Sequence, residues 1–286
     1  MKLKTQYKKI ILFSAIVLLG ACSGEEALKE SQLDVSIPAM STLDKWIETN
    51  YVNTYNIKVQ YKWNQNVVDN NRFLYPPIQG QVQPALEIVQ KIWLESYSTI
   101  GGADFVKKIA PREFVLVGGR NLNTTGTITL GLAEGGQRIT LFETDLVDKK
   151  NRDNVKRFVH TIQHEYIHIL NQYKPFDEKT LSKITPTGYT SNWYATSTTV
   201  AREEGFITDY ARSNINEDFA EMASTMLVNS KAEYDAIIAG ITSVKAKADI
   251  KAKEAVVVKY FKDAFNIDFY KLRDEAEKNT LAVING

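Results

Sequence analysis

Residues 153–172 read DNVKRFVHTIQHEYIHILNQ, and the fold turns on how this stretch is organised. Val155, Phe158, Val159, Ile162, Ile169 and Leu170 recur at the three- and four-residue spacing of one helical face. No glycine or proline interrupts the run, and Asp153 is placed to cap it. Inside this helix sits His164-Glu165-Tyr166-Ile167-His168. Residues i and i+4 share a helical face, about 5–6 Å apart at Cβ. Two imidazoles so placed can both reach one Zn²⁺ at roughly 2.0–2.1 Å. Glu165 projects to the side of that ion, where a carboxylate can take a proton from water and later give it to a leaving amine. The H-E-x-x-H pattern therefore points to metal-assisted hydrolysis.

The chain has 3 histidines, and the remaining one, His160, precedes His164 by one helical turn. Eight residues separate it from His168, about 12 Å along the axis, so His160 reads as a packing or hydrogen-bonding neighbour of the ligands. A catalytic zinc takes three protein ligands and leaves one position open. The longer pattern with Gly at 171 and His at 174 is absent, since Asn171 and Lys174 stand there. With no histidine left, the third ligand should be a carboxylate, and Glu203, Glu204, Glu217, Asp218 and Glu221 are the candidates. Glu217 and Glu221 share one face of a helix expected from Glu217 to about Asn229, with Phe219, Met222, Met226 and Leu227 inward.

Upstream, Ser41 to Asp44 looks like a helix start, and Ile57 to Trp63 alternates like a half-buried strand. Residues 65–82 are Asn-rich and read as loop. Pro84 is expected to open a helix reaching Tyr97, broken by Gly101-Gly102. Phe114 to Val117 reads as a buried strand. Thr127 to Leu132 and Arg138 to Phe142 alternate around Gly135-Gly136, as in a hairpin, and Arg138 to Phe142 is the candidate edge strand for pairing with an extended substrate. Trp193, Tyr189 and Tyr194 fall in a loop that could line a cleft. Residues 231–282 read as two or three helices, with Lys245 to Ala255 as a solvated face. Strands followed by helices give an α+β class. We expect one catalytic domain over 41–286, with an α/β part to about 150 and a helical part after it.

Net charge is +1 and no basic stripe is present, so nothing suggests nucleic-acid binding. A lysine-bearing start followed by the apolar run Ile10 to Leu19 is too short to span a membrane and reads as a signal peptide over 1–21. Its removal would take four lysines and shift the net charge from +1 to −3. Cys22 is the only cysteine, so no internal disulfide forms. Leu19-Gly20-Ala21-Cys22 resembles a bacterial lipobox, which implies lipidation at Cys22 and a tether over 22–40. The Ser23-Gly24-Glu25-Glu26 that follows resembles a surface-export signal of lipoproteins in the Bacteroidetes, implying display on the outer membrane.

The segment from Tyr210 to Glu221, YARSNINEDFAE, resembles the Y-x(6)-E-x-F-A-E segment of lethal-factor-type zincins. With the lipobox and H-E-x-x-H, the chain resembles the Bacteroidetes lipoproteins known as putative zinc-binding metallopeptidases, or substrate import-associated zinc metallohydrolases. The resemblance spans most of residues 40–270, but only the two motif blocks are specific. It implies a zincin-like fold with a small mixed sheet, one Zn²⁺ held by His164, His168 and Glu217, Glu165 as general base, Tyr210 bonding the oxyanion, and Glu221 supporting the ligands. It further implies a peptide or protein substrate and a possible nutrient-import complex. The alternative function is a non-catalytic accessory of such an import system with a structural or vestigial zinc site.

Overall fold

The computed structural model describes residues 39–286. The expected signal peptide, Cys22 and nearly all of the tether lie outside the described residues. Strands and helices are mixed, in an α+β arrangement, and Thr42–Gly286 forms one compact unit.

Helix α1 (Thr42–Ile47) continues through a π-helical turn (Glu48–Val52) to Asn53–Tyr55 and buries Leu43, Ile47 and Tyr51. Strand β1 (Lys58–Gln60) follows. It is shorter than the alternation from Ile57 to Trp63 suggests. Helix α2 begins at Gln79, not Pro84. It runs to Ile88, passes through a π-helical stretch (Val89–Leu94) and ends as Glu95–Gly101. Pro84 is tolerated inside it because the carbonyl it leaves unbonded belongs to exposed Gly80, in the first turn, where water can serve. After α3 (Ala103–Ile109) come β2 (Glu113–Leu116), β3 (Asn121–Leu122), β4 (Ile128–Thr129), β5 (Gly131–Glu134) and β6 (Arg138–Leu141).

One sheet has the order β1-β2-β6-β5. β1, β2 and β6 are parallel, and β5 is antiparallel to β6. The β5–β6 turn is Gly135-Gly136, both at positive φ (57° and 68°), as a tight hairpin demands. The edge strands are β1 and β5. Arg138 to Leu141, expected at the edge, is flanked on both sides, because its apolar face (Ile139, Leu141) belongs in the core. A small separate hairpin pairs β3 with β4, a contact the sequence reading did not foresee.

After Arg152 the described chain is helical: α4 (Arg152–Tyr173), α5 (Glu178–Leu181), α6 (Thr198–Glu203), α7 (Ile215–Val228), α8 (Lys231–Ala239), α9 (Val244–Phe265) and α10 (Phe269–Asn285). The cap of α4 is Asn151, which accepts from Asn154 N. Asp153 instead lies in the first turn, where its charge suits the helix dipole. Among the described residues no helix is long and apolar enough to cross a membrane.

The core clamps α4 from behind. Tyr166, fully buried between the two histidines, meets Trp93 at 4.7 Å and Tyr97 at 5.0 Å between ring centroids, both edge-on. Trp93 in turn meets Phe114 of β2 at 5.7 Å. Truncating such a buried aromatic to alanine typically costs about 3–5 kcal/mol. Glu143, buried at the end of β6, bridges Arg120 (2.9 Å) to Arg157 of α4. The helix that carries the histidines is thus held by packing on one side and by charge at its start.

Candidate metal centre

Two helices build the site. On α4, His164 and His168 point the same way. On α7, Asn214 caps the start, its side chain accepting from Asn216 N (2.9 Å) and Glu217 N (3.2 Å). That cap fixes Glu217 in the first turn, facing α4. His164 Nε2 lies 2.9 Å from Glu217 Oε2 and 3.0 Å from His168 Nε2, and His168 Nε2 lies 3.2 Å from the same oxygen. Among the described residues these three form the one group able to hold a metal ion. A triangle of this size can be spanned by one ion at about 2.0–2.2 Å from each atom. Two imidazole nitrogens at this separation repel unless a proton or a cation lies between them, so the donor set itself calls for a positive centre. Zinc fits it: two nitrogens, one carboxylate, and room for a fourth position.

Glu221 lies one turn after Glu217 on the same face of α7. Its Oε1 is 2.7 Å from His164 Nδ1 and its Oε2 accepts from Thr208 Oγ1 at 2.6 Å. A proton held on Nδ1 by that carboxylate leaves Nε2 free to bind a metal. His160 stands beside these groups, with Nε2 3.0 Å from Ser224 Oγ and 3.7 Å from Glu221 Oε2. It does not enter the ligand triangle. Glu203 instead accepts from Thr242 N and Ser243 N at the start of α9, and Glu204 pairs with Arg212.

Charge and burial compete here. Burial disfavours a charged His164, but the Glu217 and Glu221 carboxylates outweigh it and hold its pKa well above the ordinary range. Burial also opposes ionised Glu217, yet both histidines bring its pKa far below the carboxylate norm. Glu221 is held at about 2, its burial offset by His160, His164 and Thr208. Glu165 goes the other way. Burial pushes it up, and the Glu217 charge adds to that, while the two histidines and the Ala133 N–H pull against it.

That N–H comes from β5, which crosses the site at close quarters. At Gly131 a Cβ would meet Thr161 Cγ2 at 2.6 Å and Glu165 at 3.0 Å, so only glycine fits. The strand passes Glu165 with its backbone bare. Opposite, Tyr210 stands over His164 (ring centroids 5.8 Å), with Trp193 edge-on to it at 4.8 Å. Burial, together with the Glu217, Glu165 and Glu221 carboxylates, raises the phenol's pKa well above that of a free phenol. Trp193 and Tyr194 line the cleft beside the site. Tyr189, read with them from the sequence, turns inward and donates to Asp218 Oδ2 at 2.8 Å.

Asp218 had been open as a ligand. It pairs instead with Lys253 of α9, both fully buried, at 2.7 Å. The sequence reading missed Lys253 by taking Lys245 to Ala255 as a solvated face. The signal was present: Ala246, Ile250, Lys253 and Val257 recur every three or four residues, so this lysine lies on the apolar stripe.

Comparisons with known proteins also point to a zinc-binding chain. The family described as putative zinc-binding metallo-peptidase matches residues 37–270. The crystal structure of a putative zinc-binding metallo-peptidase from Bacteroides caccae ATCC 43185 is similar at 31% identity and a TM-score of 0.71, covering 88% of this chain and 98% of that one. No curated protein matches the chain.

Proposed function

Because the chain belongs to the family of putative zinc-binding metallo-peptidases, we propose that it is a zinc-dependent peptidase that cleaves peptide bonds with Glu165 as general base. The observation that carries this reading is the convergence of His164 Nε2, His168 Nε2 and Glu217 Oε2 within hydrogen-bond distance of one another, with Glu165 beside them. Those three residues would hold one zinc ion. When bound, the metal supplies Lewis acidity, lowering the pKa of a water and polarising the scissile carbonyl.

The protein's own groups do the rest. Glu165 takes the proton of the attacking water and delivers it to the departing amine. Tyr210, which stands over His164 at the cleft, donates its hydroxyl to the developing oxyanion. Glu221 keeps His164 in the tautomer that presents Nε2. The free edge of β5 offers backbone groups to an extended substrate. From the lipobox-like Leu19-Gly20-Ala21-Cys22 and the family resemblance we further propose that the protein is anchored through Cys22 to the outer membrane, facing outward, in a nutrient-import complex.

The test is metal analysis with Glu165→Gln as control. The wild-type chain should bind one equivalent of zinc and cleave peptides. Glu165→Gln should keep the zinc and lose about 10²–10⁴-fold in kcat. Full activity in the variant would refute the mechanism. Zinc without cleavage of any peptide, in the wild type, would favour the accessory role.

A further inference from the structure

A cleft of about 580 Å³ opens beside the metal centre. The β3–β4 hairpin forms one wall, the segment 191–213 the other, and α4 the floor. Among the described residues no lysine or arginine lines it. Two of its carboxylates, Glu165 and Glu221, already serve the metal centre. Asp209 does not. It is half-buried, and its Oδ1 accepts from Thr198 Oγ1 at 2.5 Å. The arginines nearest in sequence do not neutralise it: Arg212 is turned to Thr196 Oγ1, Gly188 O and Glu204, and Arg202 to Ile207 O.

We propose that this cleft receives a cationic side chain of the substrate, arginine or lysine, with Asp209 as its counter-ion and Trp193 and Tyr194 as the aromatic surface it lies against. The inference rests on the peptidase reading and narrows its substrate. Three observations carry it. First, Glu165, Glu217, Glu221 and Asp209 together outweigh one divalent ion, so the cleft keeps a negative potential that attracts cations and repels acidic side chains. Second, a neutral aliphatic occupant would strip water from Asp209 and leave its charge with only the Thr198 hydroxyl and no counter-ion, which is unfavourable. Third, Trp193 is held against Tyr210 at 4.8 Å between ring centroids, and aromatic faces attract guanidinium and ammonium groups. The remaining lining, including Asn123, Ser191 and Ser213, supplies oxygens that accept from such donors.

The experiment uses the zinc-loaded full chain and peptides that differ at one residue near the cleaved bond: arginine, lysine, citrulline, glutamate or O-glycosylated threonine. Citrulline keeps the shape of arginine without its charge. The arginine peptide should exceed the citrulline peptide by about 10- to 100-fold in kcat/KM. In Asp209→Asn that ratio should fall towards one, while the asparagine still accepts from Thr198. Calorimetric binding of the same two peptides to zinc-loaded Glu165→Gln protein should give the same preference without turnover. An arginine-to-citrulline ratio unchanged by Asp209→Asn, or a preference for the neutral, acidic or glycosylated peptide, would overturn the proposal while leaving the peptidase reading intact. Failure of the wild-type chain to cut or bind any peptide would remove both.

Discussion

Lys253 Nζ lies 2.7 Å from Asp218 Oδ2, with neither side chain exposed to solvent. The ammonium also sits 3.8 Å above the Phe206 ring, and Tyr189 donates to the same carboxylate. Burial lowers the lysine pKa and raises that of the aspartate, each partly countered by the other's charge. Asp218 directly follows Glu217, so this pair fixes the first turn of α7 from the side away from the metal centre. Buried pairs of this kind are rarely better than apolar packing, but breaking one leaves a buried charge alone. Lys253→Met should therefore destabilise the fold by about 3–5 kcal/mol in urea denaturation, and adding Asp218→Asn should recover most of that. An unshifted urea midpoint in Lys253→Met would show that the pair contributes nothing.

Much of this centre was readable beforehand because it follows from helical periodicity. His164 and His168 face one way at any i, i+4 spacing, and Glu217 and Glu221 repeat the rule on a second helix. What periodicity cannot say is which face of a helix meets which neighbour. Lys253 was misread because a lysine-rich run suggests solvent, although its register suggests the core. The edge strand was misplaced by one because alternation marks a strand without giving its neighbours. The β3–β4 hairpin, with strands of two residues each, is too short to leave a periodic signature.

Tyr210 is expected to act on the reaction and not on the metal. Tyr210→Phe should keep one equivalent of zinc and lower kcat by about 10²–10³-fold with little change in KM, the usual consequence of removing one donor to an oxyanion. A variant with unchanged kcat would reduce Tyr210 to a packing residue.

Glu221 is expected to act on the metal. Glu221→Ala removes the acceptor at His164 Nδ1 and should weaken zinc binding by about 10- to 100-fold in chelator competition. His160→Ala, which leaves that contact in place, should have a much smaller effect. Equal losses in the two variants would mean that Glu221 has no special hold on His164.

Acid stability should carry the mark of Glu233. Burial would raise its pKa, but Arg152, the Ser230 N–H and Lys156 hold it at about 2, below its ordinary 4.5. A pKa depressed on folding contributes stability above the unfolded value and loses it as pH falls through the folded one. The difference in urea midpoint between wild type and Glu233→Gln should be constant above about pH 5 and shrink between pH 4.5 and about 2. Because the carboxylate is partly open to solvent, the effect should be modest and should diminish in high salt. A gap that widens on acidification would contradict the assignment.

Gly131 sets a boundary on how this scaffold can change. Where β5 crosses Glu165 there is no volume for even a methyl group. Selectivity therefore cannot be written into the chain at that crossing, and contact with a ligand there is limited to main-chain atoms common to every peptide. Divergence in what such proteins accept is left to the two flanking surfaces, the β3–β4 hairpin and the stretch bearing Trp193 and Asp209, which can be remodelled without disturbing the helix beneath.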